Sequence, residues 1–229
     1  MLSRLVVIIL LVGSSCSESP SYSSISSHPY AAYFYKYDSI PKVYVYRDVI
    51  DGLKEQFHRV YGIEDSEGKH IVIEHYASEG RLTQAFNFNL DSLDVIDHMV
   101  VNVLGENEKA TVYKKNLFPY EKDVETKFAS KFSGFMDSTV LLMELDILLK
   151  GISKRKVLKD SIDCIKMKEH SRLTLLNTSK KTENQNEVEI VRYFGKTLGL
   201  VEWHDIKKRR HFILEDIISQ EKWIKLISQ

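Results

Sequence analysis

The chain has 229 residues, of which 43% are hydrophobic and 28% charged, and its 32 Lys plus Arg balance 32 Asp plus Glu. No field of one sign is available to recruit nucleic acid or to coat an anionic membrane, and the apolar content excludes disorder over most of the length. Cys16 and Cys164 are the only cysteines, so there is no disulfide framework and a hydrophobic core has to suffice.

Met1 to Ser15 has the three-part layout of a secretory signal. Arg4 is the basic start, Leu5 to Val12 is an unbroken apolar run, and Gly13, Ser14 and Ser15 are small residues before Cys16. The run is too short to span a bilayer, which needs roughly 20 residues. A small-residue run ending in cysteine resembles the lipobox of bacterial lipoproteins, although Gly13 stands where leucine is usual. The resemblance implies that residues 1–15 are cut away and that the Cys16 thiol carries a lipid holding the protein to a membrane. Ser17 is not the aspartate that retains many lipoproteins in the inner membrane, which by the same rule points to the outer membrane; the expected side is the periplasm, with the cell surface as the alternative. Residues 16–29 are Ser-rich with Pro20 and no apolar period, a tether composition.

Residues 30–229 are expected to form one β-rich domain. His28 to Tyr37 carries five aromatic residues and reads as an arm packed on the domain. From Lys42 the apolar period is two: Val43 and Val45 alternate with Tyr44 and Tyr46. A hairpin follows, turning at Asp65-Ser66-Glu67-Gly68, and a second turn lies at Ser78-Glu79-Gly80. Leu82 to Phe88, Met99 to Leu104 and Ala110 to Tyr113 continue an antiparallel meander. Leu117 to Gly134, with Pro119 and scattered aromatics, reads as a long loop. Asp137 to Leu149 is apolar on nearly every side and is expected to be a strand, because strand-like segments bracket it. Lys156 to Lys168 and Arg172 to Leu176 read as a pair joined near His170 and Ser171, and the polar Lys180 to Glu187 as a loop. Val188 to Phe194, Leu200 to Trp203 and His211 to Leu214 are further strands. Ser219 is placed to cap a short C-terminal helix with Trp223, Leu226 and Ile227 on one side, lying over an open sheet edge.

The segment Ile162-Asp163-Cys164-Ile165-Lys166, followed by Arg192-Tyr193-Phe194-Gly195 and Gly199-Leu200-Val201-Glu202, resembles the TapB-like exported β proteins. Ile162 replaces a usual Phe and Glu202 a usual Lys. The resemblance covers the last third of the chain and implies a curved antiparallel sheet, a half-barrel similar to lipoprotein carriers, with a concave apolar face. Phe194, Gly199 and Trp203 are candidates for that face or its support, together with Tyr193.

No catalytic or metal signature stands out. His70 and His75 are five apart, which sends them to opposite faces of a strand, and there is no zinc-type Cys/His spacing, no HExxH and no calcium loop. Cys164 sits in an apolar strand and reads as a small hydrophobe. These observations favour a non-enzymatic, lipid-anchored envelope protein that needs no cofactor and binds an apolar or amphipathic ligand or an envelope protein on its curved sheet. The alternatives are an envelope hydrolase assembled from dispersed residues such as His98, Asp137 and His204, and a structural interaction module.

Overall fold

The computed structural model describes residues 27–229 except 103, 104, 135, 137, 206, 208, 209 and 229. Twelve strands run in chain order: β1 (Lys42–Asp48), β2 (Glu55–Asp65), β3 (Gly68–Tyr76), β4 (Leu82–Asn89), β5 (Val95–Val101), β6 (Asn107–Lys115), β7 (Glu125–Ser133), β8 (Thr139–Val157), β9 (Asp160–Asn177), β10 (Thr182–Gly195), β11 (Gly199–Asp205) and β12 (Arg210–Ser219), followed by one helix, α1 (Gln220–Ile227). Each strand pairs antiparallel with its sequence neighbour, and β1 pairs with β12 from Lys42↔Ser219 to Asp48↔Phe212. The sheet is therefore a closed barrel and not the expected half-barrel. Closure removes both sheet edges, which are otherwise the sites where foreign strands add.

Alternation sorts each strand between the two sides of the wall. Tyr44, Tyr46, Val60, Ile71, Ile73, Phe86, Phe88, Leu145, Ile147, Met167 and Phe212 belong to the main core. The other side is wet: Arg59–Glu74, Arg47–Glu55, Lys109–Asp97, Lys127–Asp146 and Lys168–Glu189 lace the outer wall with ion pairs. An apolar inside and a charged outside is the inverse of a barrel that crosses a membrane. Likewise, no described helix is long and apolar enough to cross one.

Twelve strands enclose more space than side chains fill in an eight-stranded barrel, and an N-terminal arm takes up part of it. A single 3₁₀ turn at Ala31–Tyr33 delivers Phe34 and Tyr35 into one end, where both are buried. Phe34 meets Phe88 and Phe118 edge-on, and Tyr35 meets Tyr44 in the same manner. Tyr46 then donates its hydroxyl to the Leu200 carbonyl at 2.8 Å. The aromatic arm expected from His28 to Tyr37 is thus a plug. Gly199 makes room for it: its φ is +72°, and a Cβ there would lie 2.5 Å from the Tyr35 ring.

The tight turns follow the residues expected of them. Gly68 (φ +115°) and Gly80 (φ +73°) hold left-handed positions. The apolar run expected to be a strand is one from Thr139 onward, within β8, and none of Thr139 to Leu149 is exposed. Four expectations fail. The presumed loop Leu117 to Gly134 contains β7, whose Phe128, Ser130 and Phe132 alternate with Lys127 and Lys131. The presumed break at His170 and Ser171 lies inside the continuous β9, and the real turn with β8 is at Leu158 and Lys159. The polar segment Lys180 to Glu187 is mostly strand, because Thr182 to Glu187, although exposed, pair with Asn177 to Arg172 of β9. Lastly, α1 covers no edge, since none exists.

Ser219 caps α1 as expected, accepting from the Lys222 amide. The helix packs on the outer wall, where Trp223 joins Val43, Val45, Phe57 and Ile218 in a second cluster with Tyr76 and Ile227 at its margin. This explains why both sides of β1 are apolar. Contact with a convex wall is narrow, so Trp223 and Ile227 are covered while Leu226, expected on the same face, is 47% exposed. The Trp223 indole packs against Tyr76 at 4.7 Å, and its buried Nε1 meets no hydrogen-bond partner among the described residues.

Candidate functional site

The interior of the barrel holds a partly open cavity of about 240 Å³. Its apolar wall is made by Ile73, Phe86, Phe88, Met143, Leu145, Ile147, Ile190 and Phe194 from the strands, with Phe34 and Phe118 closing over it. A polar band crosses this wall. Glu169 of β9 and Arg192 of β10 face inward, and Arg192 gives Glu169 two hydrogen bonds, Nε to Oε2 at 2.8 Å and Nη2 to Oε1 at 3.1 Å. The paired arrangement fits guanidinium to carboxylate in the strongest available geometry and neutralises both charges. Deep as it lies, 26% of the Arg192 side chain remains accessible, because it borders the cavity.

A chain of neutral groups continues the band across β2 to β7. Gln84 Nε2 lies 3.2 Å from His75 Nδ1, Gln84 Oε1 lies 3.3 Å from His98 Nε2, and His98 Nδ1 lies 2.9 Å from the Ser130 hydroxyl. Gln84 can donate only through its nitrogen. His75 therefore accepts at Nδ1, His98 donates from Nε2, and Ser130 donates to His98. His58 stacks on His75 with ring centres 4.0 Å apart, and its Nδ1 is buried with no hydrogen-bond partner among the described residues. All three imidazoles are held neutral by burial. It lowers His75 to about 3 and His98 to about 4, with Arg192 adding to the effect on His75, and it takes His58 well below its ordinary value.

Phe194 lines the cavity, whereas the other residues singled out from the sequence take different places. Trp203 is inward-facing and buried, stacked on Phe212 at 4.8 Å, but it belongs to the wall behind the cavity. Gly199 supports the plug. Tyr193 lies on the opposite side of β10 from Arg192 and Phe194, where the Arg155 guanidinium sits 3.7 Å from its ring centre, so it is no part of a concave face. Cys16 is outside the described residues. Cys164 is free and buried, and burial raises its thiol to about 11, which leaves no thiolate for nucleophilic chemistry.

The dispersed residues of the hydrolase alternative do not converge: His98 faces the interior, His204 faces the outer wall, and Asp137 lies outside the described residues. Sequence reasoning missed Glu169, Arg192, His58, His75 and Gln84. A signal existed, since Glu169 follows Ile165 and Met167 in the inward phase of β9, and Arg192 stands between Ile190 and Phe194 in that of β10. A charge inside an apolar phase marks a wall that encloses something polar. Among the described residues one group has metal-ligand chemistry, Glu202, His204 and His211 on the outer wall.

No family model matches the chain, and no curated protein matches it. Among solved structures it is similar to a candidate lipoprotein from Parabacteroides distasonis ATCC 8503, with 12% identity, a TM-score of 0.49, and coverage of 84% of this chain and 99% of the other. It is also similar to a candidate exported protein with YmcC-like fold from Bacteroides fragilis NCTC 9343, with 11% identity, a TM-score of 0.45, and coverage of 80% and 98%.

Proposed function

We propose that this is a non-enzymatic envelope protein, anchored through a lipid on Cys16, whose barrel takes up one small amphipathic molecule. The observation that carries the reading is the cavity itself, an apolar chamber whose lining includes the hydrogen-bonded Arg192–Glu169 pair. Small-molecule sites have this character, mostly apolar with a few placed polar groups. At ~30 Å³ per water the chamber has room for about eight waters or for one medium-chain amphiphile. Glu169 already neutralises Arg192, so a neutral acceptor such as a hydroxyl, amide or ester carbonyl suits the site better than a carboxylate, which would face Glu169. The earlier picture of a ligand on an open concave sheet gives way to one held inside a closed barrel.

Calorimetric titration of the protein with a medium-chain alcohol and with the fatty acid of equal length tests this. One molecule of alcohol bound per barrel is expected, with the acid weaker at neutral pH. Ile190→Trp, which fills the chamber, should abolish uptake while circular dichroism stays unchanged. Equal binding by the filled variant would place the ligand elsewhere. For the anchor, intact mass of the membrane-extracted protein is expected to show Cys16 as the acylated first residue, and Cys16→Ser to be found unacylated. A wild-type mass without acyl chains refutes that part.

A further inference from the structure

On the outer wall, β11 and β12 bring together three side chains that no chamber function uses. Glu202 and His204 are two residues apart on β11, which places both on the same side of the strand. The register sets His204 directly opposite His211 on β12. Glu202 Oε1 lies 3.0 Å from His211 Nε2 and 3.9 Å from His204 Nδ1, and the three donor atoms all fall within 4.8 Å of one another. His204 Nδ1 is buried and has no hydrogen-bond partner among the described residues.

We propose that Glu202 Oε1, His204 Nδ1 and His211 Nε2 bind a divalent transition-metal ion, Zn²⁺ foremost, with a fourth position left to solvent. Two imidazoles and one carboxylate suit zinc rather than magnesium or calcium, which take oxygen donors. Zinc bonds of ~2.0–2.2 Å in a tetrahedron set donor atoms roughly 3.3 Å apart. The donor atoms stand within 4.8 Å of one another, so the side chains have to turn inward to close on an ion. The carboxylate divides its work: Oε1 faces the imidazoles, while Oε2 lies 3.5 Å from Arg155 Nε, and Arg155 is itself held over the Tyr193 ring. A partner of this kind outside the ligand shell orients the ligand. Among the described residues, Arg155 and Lys166 are positive charges that act on His204, and they keep the affinity below that of an all-anionic cage.

The test uses protein freed of any polyhistidine tag. Competition with a chromophoric zinc chelator is expected to show one equivalent bound, and Co²⁺ to give the intense visible bands of a tetrahedral site. His204→Gln and His211→Gln should each weaken zinc by at least 100-fold with unchanged circular dichroism. In the wild type, zinc should protect both histidines from diethylpyrocarbonate, as read by mass spectrometry, a measurement that does not depend on any variant folding. Substoichiometric binding, a folded double variant with wild-type affinity, or equal modification of both histidines with and without zinc would each overturn the proposal.

Discussion

Gly199→Ala should loosen the plug by more than its size implies. Two costs arise at the position. A non-glycine residue at φ +72° carries about 1–2 kcal/mol of left-handed strain. The new Cβ also falls 2.5 Å from Cδ1 and Cε1 and 2.6 Å from Cγ of Tyr35, so the ring must move. Tyr35 is buried and its hydroxyl lies 3.4 Å from that of Tyr46. Displacing a core aromatic of this kind forfeits much of the ~3–5 kcal/mol that its deletion costs. Gly199→Ala is therefore expected to cost about 3 kcal/mol or more in urea unfolding. Tyr35→Ala removes the obstacle. In that background Gly199→Ala should cost only the strain, about 1–2 kcal/mol, so the double-mutant cycle should show strong coupling. Additive costs would refute the claim that Gly199 exists to seat the plug.

Three further outcomes follow from the same packing. His75 and His98, lowered to about 3 and about 4 in the folded protein, take up protons only on unfolding once the pH falls below 6.5. Stability should thus be full above that value and fall by up to about 2 kcal/mol per histidine on reaching pH 5, and a flat profile from pH 7.5 to 5 in urea melts would contradict their neutral burial. Trp223→Ala should cost about 3 kcal/mol by stripping α1 from the wall, yet the protein should stay monomeric in light scattering because no edge is uncovered, so self-association would argue against closure. Glu169→Leu should destabilise by roughly 3–5 kcal/mol by leaving Arg192 unpaired in the interior, whereas Glu169→Leu with Arg192→Leu should recover most of that. A double variant as unstable as the single one would show that the pair is not the unit.

Local chemistry was the legible part of this fold. Gly68 and Gly80 marked turns, Ser219 marked a helix start, and the alternation of Val43 to Tyr46 marked a strand, because each depends on a few consecutive residues. Closure was not legible, since it rests on β1 meeting β12 across almost the whole domain, and no neighbouring residues encode that pairing. The start of β10 differs from the expected loop because Thr182 to Glu187 are exposed on both sides, so hydrophobic alternation is missing there while the backbone ladder to β9 remains. β7 was misread for the opposite reason: its alternation was present at Phe128 and Phe132 but was overshadowed by Pro119 and the charges before it. The chamber was half legible, through the inward charges of Glu169 and Arg192. The outer-wall triad needed the hairpin register, because His204 and His211 meet only when β11 and β12 are aligned.

The central claim, a ligand held inside the barrel, is tested most directly by intermolecular NOEs between a medium-chain alcohol and protein methyl groups. Contacts are expected from the alkyl chain to the methyls of Ile73, Met143 and Ile190 on the cavity wall, lost in Ile190→Trp. Contacts confined to the exposed methyls of Ile213, Ile224 and Leu226 would mean that the molecule binds the outside and that the chamber is not a binding site.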